Sequence, residues 1–189
     1  MKKILLGILM GAFLLSCGNK EDTAAKPEGE KVLSVAATPE PHGEILKEAV
    51  PLMAKEGIEL KVEIFNDYVM PNKVLTEKSV DANIFQHKPF LDNYNEKNGT
   101  DIVDVARSYT APLALYSDKY KALGELEDGA EILIANDPTN LARSLILLDK
   151  NGIIKLKDPN NVVATLEDIV ENPKNLKISS LDFQKPLTD

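Results

Sequence analysis

From Lys31 onward, stretches with the periodicity of a strand alternate with stretches that have the periodicity of a helix. KVLSVAA (31–37) is a nearly continuous apolar run, as expected of a buried strand, and TPEPHG follows it as a turn. Between Glu44 and Glu56 the apolar positions are 45, 46, 49, 52 and 53, one face of a helix, and Gly57 stops it. IELKVEIF (58–65) changes character at every second residue, as a half-buried strand does. Asn66-Asp67-Tyr68 turns the chain, and Pro71 suits the first turn of a short helix reaching Val80. A strand is expected over 81–86, then a helix from Pro89 to about Asn98, ended by Gly99. Further strands are expected at 101–109, 112–116, 131–135 and 175–181. Further helices are expected at about 139–150 and 165–171, the second halted by Pro173.

Such alternation predicts an α/β fold with largely parallel sheets. In open sheets of this kind, ligands bind where strands end and helices begin. Tyr68, the Gln86-His87 junction and Asn136 to Asn140 all fall at such places.

The first thirty residues follow other rules. Lys2 and Lys3 precede an apolar run, Ile4 to Leu15, too short to cross a bilayer as a helix and suited to a secretion signal. It leads into Leu14-Leu15-Ser16-Cys17, which has the form of a bacterial lipobox around the chain's single cysteine. The plainer alternative is a signal peptide with an incidental cysteine. A lone cysteine makes no internal disulfide, whereas a thioether to diacylglycerol gives it a use. Residues 1–16 are therefore expected to be a lipoprotein signal, and 17–31 a lipidated Cys17 followed by a polar tether. The expected location is the cell envelope, with the domain on the extracytoplasmic side and the membrane contacted through acyl chains.

Removing Lys2 and Lys3 with the signal takes the formal charge from −8 to −10. That acidity argues against a nucleic-acid partner. Enzyme chemistry also lacks support: there is no G-x-S-x-G, P-loop or G-x-G-x-x-G, and His42 and His87 have no zinc-ligand spacing. No catalytic residue, metal or cofactor is expected.

Binding chemistry is better represented. ANDPTNLARSL (135–145) follows the apolar EILI and opens a helix, with Asp137 or Thr139 placed to cap it. First-turn amides attract a carboxylate, and Arg143, one turn along, offers a bidentate grip on the same group. The alternative is a capped surface helix bearing one exposed arginine. Only Arg107 and Arg143 among the 22 basic residues are arginine. DANIFQHKPF (81–90) concentrates two of the five phenylalanines around His87. His87 reads either as a satisfied structural histidine beside an aromatic core or as part of a site.

Five separated stretches carry a family likeness: AATPEPHGEIL, FNDYVMPN, DANIFQHKPFLDNYNEKNGTDIV, LYSDKYKALGELEDGAEILIANDPTNLARSLILL and TLEDIVENPKNLKI. In this order they resemble the NlpA/MetQ-type methionine-binding lipoproteins, the solute-binding subunits of methionine importers. The resemblance covers Val32 to the end. It implies a two-lobed, flytrap-like binding protein, with about 32–80 in the first lobe and about 81–189 mostly in the second. It also implies capture of L-methionine and its delivery to the permease and ATPase of an ABC importer. Tyr68, Phe85, Phe90 and the face of His87 would form a slot for a thioether, with Arg143 on the ligand carboxylate and Asn140 orienting its backbone.

Departures from the family pattern bear on these expectations. The family usually has tyrosine where Phe90 stands, a change that would favour another apolar amino acid or a methionine-containing dipeptide. Members also continue beyond LDFQKPLTD, which leads to the expectation of an incomplete first lobe. A surface lipoprotein with an adhesive or interaction role is the alternative from another functional class.

Overall fold

The computed structural model describes residues 31–181. The expected signal, Cys17 and nearly all of the expected tether lie outside the described residues.

The first sheet is built on β1 (Lys31–Ala37), flanked by β2 (Ile58–Ile64) and β3 (Ala82–Ile84) in the order β2-β1-β3. Both pairings are parallel, with Ala37 opposite Ile64 on one side and Ile84 on the other. Parallel neighbours need a crossover. α1 (Glu44–Lys55) provides it between β1 and β2, and α2 (Met70–Thr76) between β2 and β3. Because the three strands end in register, Thr38, the Phe65–Tyr68 turn and Phe85 all emerge at one edge of the sheet. Ala36, Val74 and Val80 form the buried apolar cluster under α2, with Phe65, Met70 and Leu75 packed against it. Polar bonds reinforce the sheet: Asp81 accepts from the Ser34 amide at 2.8 Å and from its hydroxyl at 2.6 Å. β3 thus belongs to the first sheet although it lies beyond residue 80.

α3 (Lys88–Asn98) follows β3, carries Pro89 in its first turn and ends at Gly99, whose φ of 63° lies in the left-handed region that glycine enters without a steric penalty. β4 (Glu131–Ala135) pairs in parallel with β7 (Lys177–Leu181), and α4 (Pro138–Lys150) packs on this second sheet. Ala142, Leu145 and Leu148 of α4 join Ile132 and Ile134 of β4 in a core completed by Ile154, Leu156, Ala164 and Leu176. A small antiparallel pair, β5 (Lys155–Leu156) and β6 (Ile169–Glu171), closes its far side.

Two expectations need correction. Residues 101–109 and 112–116 form no strands: apart from a half-buried Ile102 they lie exposed, with Val103 73% and Val105 89% exposed. Alternating apolar residues become a strand only when a neighbouring edge satisfies their backbone. The expected helix at 165–171 is a single 3-10 turn, Leu166–Asp168, followed by β6. The spacing of Leu166, Ile169 and Val170 mimics a helix face, and Thr165 with Asp168 makes a genuine capping box. The β-branched pair Ile169-Val170 nevertheless joins β5, where its side chains suit a pleated surface.

Candidate functional site

The carboxyl edge of the first sheet and the N-terminal end of α4 border one open cleft of about 1820 Å³. All six residues singled out in the sequence line it: Tyr68, Phe85, His87, Phe90, Asn140 and Arg143. They arrive on three segments: the β2–α2 turn, the β3–α3 junction and the first turns of α4.

The rings converge around Phe90. Its centroid lies 6.1 Å from Tyr68, 5.8 Å from Phe85 and 6.2 Å from His87, each contact close to edge-on. Quadrupoles favour this arrangement over face-to-face stacking. Phe85 is buried at the base of the cluster, at 8% exposed, and the other three rings are half-buried. Burial pushes the Tyr68 hydroxyl pKa up, and the Asp137 carboxylate adds to the rise.

A chain of hydrogen bonds runs beside the rings. His87 caps α3: its Nδ1 accepts from the Phe90 amide at 3.1 Å, so the ring proton resides on Nε2. Nε2–H faces Asn140 Oδ1 at 3.0 Å, and the Arg143 Nη1 donates to the same oxygen at 2.9 Å. Asn140 is held by its amide, which donates to both Asp137 oxygens at 3.1 and 3.0 Å. The other Arg143 nitrogen donates to the Ala111 carbonyl at 3.1 Å. Burial holds the His87 pKa below the ordinary imidazole value, opposed by its bond to Asn140 and assisted by the Arg143 charge. The ring is therefore a neutral hydrogen-bonding surface rather than a cation.

Asp137 caps α4, as expected, but with a consequence. Its carboxylate accepts from the Asn140 main-chain amide at 3.0 Å. The Asn140 amide, one of the first-turn amides that the sequence offered to a ligand's carboxylate, is occupied by the cap, and Arg143 is the cationic group of this end. Arg107, the other arginine, is exposed and lies 3.8 Å from Asp104.

Two further clusters reach the cleft, and apart from the position of Gln86 at a strand end neither is marked in the sequence pattern. His42 Nδ1 lies 2.7 Å from the Thr38 hydroxyl, and its Nε2 lies 2.7 Å from the Tyr109 hydroxyl. Asn72, Asn83 and Gln86 form a ring of side-chain amides behind the aromatic rings. Hydrophobic periodicity is blind to both, because each is defined by polar groups meeting across the fold. No group of acidic, histidine or cysteine side chains suited to a metal occurs among the described residues. None of their helices is long and apolar enough to cross a membrane.

Residues 33–186 match the NlpA lipoprotein family. The chain is 43% identical over 178 residues to the D-methionine-binding lipoprotein MetQ of Salmonella typhi, covering 94% of this chain and 64% of that protein. It is 42% identical over 187 residues to the methionine-binding lipoprotein MetQ of Bacillus subtilis, covering 96% and 67%. A nutrient binding protein from Burkholderia cenocepacia, solved bound to methionine, superposes with a TM-score of 0.74 at 42% identity, over 79% of this chain and 64% of that one. The chain thus spans about 64% of the length of the Salmonella protein it matches. With an α/β fold of the periplasmic substrate-binding kind and sequence similarity across nearly its whole length, the chain belongs to the NlpA lipoprotein family.

Proposed function

We propose that this protein is a lipid-anchored receptor that captures L-methionine in the cleft and presents it to the permease and ATPase of an ABC importer. One observation carries the reading: an aromatic cluster and the Asp137–Asn140–His87/Arg143 hydrogen-bond chain border the same cleft. The names of the Salmonella and Bacillus relatives support methionine as the ligand. Cys17 would carry the acyl chains, and the role is binding rather than turnover.

The chemistry divides between the two sides of the cleft. The half-buried faces of Tyr68, His87 and Phe90 take the thioether, with Phe85 behind them. Burying a methionine side chain contributes about 1.5–3 kcal/mol, and each sulfur–aromatic contact about 0.3–1.5 kcal/mol. Arg143 takes the carboxylate, which displaces the neutral Ala111 carbonyl from the guanidinium and makes a charge-assisted pair of about 1.5–3 kcal/mol. Micromolar affinity corresponds to about 8 kcal/mol, so neither side suffices alone. Asn140, fixed by Asp137, keeps its oxygen directed at both His87 and Arg143 and so holds the two sides in register.

Calorimetric titration of residues 18–189 with L- and D-methionine tests the assignment. The Arg143→Ala variant is expected to lose at least ~tenfold in affinity for L-methionine, equivalent to about 1.4 kcal/mol, with little change in its melting curve. Unchanged affinity would remove Arg143 from the carboxylate site. Tighter binding of D- than of L-methionine would reassign the preferred stereoisomer while keeping the site.

A further inference from the structure

We infer that Asn72, Asn83 and Gln86 form a positioning clamp that sets the spacing of the aromatic cluster and thereby its discrimination among apolar side chains. The inference rests on the proposed binding role of those rings. Asn83 and Gln86 line the cleft and Asn72 does not, and none of the three is among the groups assigned to the ligand above.

The geometry is a closed ring of amides. Asn72 is fully buried. Its Nδ2 donates to Gln86 Oε1 at 2.9 Å, and its Oδ1 accepts from Gln86 Nε2 at 2.7 Å and from Asn83 Nδ2 at 2.9 Å. Gln86 Nε2 also lies 3.3 Å from Asn83 Oδ1, and Asn83 Nδ2 donates to the Pro71 carbonyl at 3.0 Å. No buried side-chain polar atom among the described residues lacks a partner, so every buried amide atom of the network has one. Such a network favours one arrangement strongly, because any displacement strands a buried amide.

The positions of these amides in the chain explain what they hold. Asn72 sits in the first turn of α2, one turn after Tyr68. Asn83 lies on β3, and Gln86 stands between Phe85 and His87 with Phe90 one turn further on. Tyr68 is thus mounted on one segment and the other three rings on another, and the amide ring is a direct polar tie between those segments. Among the described residues, the apolar cluster beside it has three buried members, Ala36, Val74 and Val80. Apolar contacts tolerate small slips, whereas paired amides do not. Slot width is consequently fixed by hydrogen bonds, and a site slackened by a fraction of an ångström loses selectivity before it loses its fold.

Two variants and a control test this. Asn72→Leu keeps the branched shape of the side chain and removes the hub of the ring. Gln86→Met, at a half-buried position, removes one arm and decides the matter should Asn72→Leu not fold. Val74→Ala, on the same helix and in the same core, lowers stability without touching an amide. Ligand-free NMR reads nuclear Overhauser contacts between the Tyr68 and Phe90 rings, and titration reads affinity for L-methionine and L-leucine. The clamp predicts that the amide variants lose the ring contacts and at least ~tenfold in L-methionine affinity, with a narrowed preference over L-leucine. Val74→Ala is expected to keep both contacts and preference while melting earlier. Intact ring contacts in Gln86→Met, or equal losses in Val74→Ala, would overturn the clamp. If the wild-type chain binds no methionine yet the amide variants lose the ring contacts, the clamp stands and the ligand assignment fails.

Discussion

α1 and α4 are nearly equal in length, at 12 and 13 residues, yet they are anchored in different ways. α1 has a strongly amphipathic sequence but contributes no fully buried residue, and its Leu52 is 60% exposed. α4 buries Thr139, Ala142, Ser144, Leu145 and Leu148, and Ala142, Leu145 and Leu148 pack in the core of the second sheet. The region around the first sheet therefore owes more of its definition to polar ties such as Ser34–Asp81 and the amide ring, and the region around α4 owes more to packed hydrocarbon. The difference matters for the site. Asn140 and Arg143 stand on a helix fixed by its core, whereas the aromatic cluster stands on turns fixed by hydrogen bonds. The charged end of the site should be rigid, and the apolar end should be the one that mutations loosen.

The largest expected effect tests this contrast in stability. Leu145→Ala empties a fully buried position and should cost about 2–5 kcal/mol in denaturant unfolding. Leu52→Ala, at a residue mostly in water, should change stability by no more than about 0.5 kcal/mol. A loss at Leu52 approaching that at Leu145 would show that the apolar face of α1 is covered in solution, and the contrast between the regions would collapse.

A second and smaller effect comes from the two histidines, both on turns that follow strands of the first sheet, of which His87 alone bonds to α4. Burial lowers the pKa of both His42 and His87. The folded state therefore binds protons less readily than the unfolded state, whose imidazoles titrate near pH 6.5. Stability is fully present above that value and falls as pH drops through the lowered folded-state values. For His87 the protonated ring would lose the Nδ1 acceptor of the Phe90 amide and would face the Arg143 charge. For His42 the facing groups are the Thr38 and Tyr109 hydroxyls; one donates to the neutral ring and the other accepts from it, and by turning its hydrogen away the first can accept from a protonated ring as well. Melting curves recorded between about pH 8 and pH 5 should show a downward slope that is shallower in His87→Gln than in wild type. The same substitution at His42 should alter the slope less. Equal slopes in wild type and His87→Gln would mean that the His87 cap contributes nothing to the pH dependence.

Much of this organisation was legible in the sequence wherever local pattern and tertiary partner agree. β1 and β4 occupy the expected residues, and α1, α3 and α4 start and stop within one residue of expectation. Capping and glycine signals mark those ends, and they act locally. The misses share a cause: partners supplied from elsewhere in the chain. Residues 101–116 alternate like strands but meet no pairing edge among the described residues, and Ile169-Val170 meets one in β5 that the helical spacing concealed. The same division holds for the site. Tyr68, Phe85, His87, Phe90, Asn140 and Arg143 could be named because they are unusual residues at strand ends in stretches that resemble a family. Asn72 and Gln86 are common residues whose role exists only once the fold joins them, and the Ala111 carbonyl beside Arg143 is main chain, which no residue type announces.

The smallest effect separates buried polar ties from exposed ones. Lys155 and Glu171 face each other across β5 and β6 at 3.0 Å, with their side chains 63% and 57% exposed. Water screens such a pair, and holding two long side chains in one geometry costs entropy, so its coupling should lie between 0 and about 1 kcal/mol. A double-mutant cycle of Lys155→Met and Glu171→Gln measures that coupling directly, and added salt should reduce it further. The ion pair has full charges and one short contact, whereas the Asn72 ring has none and several. If the exposed pair nevertheless coupled by more than about 2 kcal/mol, well beyond the range for surface pairs, charge rather than burial would be what makes a polar tie rigid here. Weak coupling is the expected result, and it would leave burial of the amides as the reason the first region holds its shape.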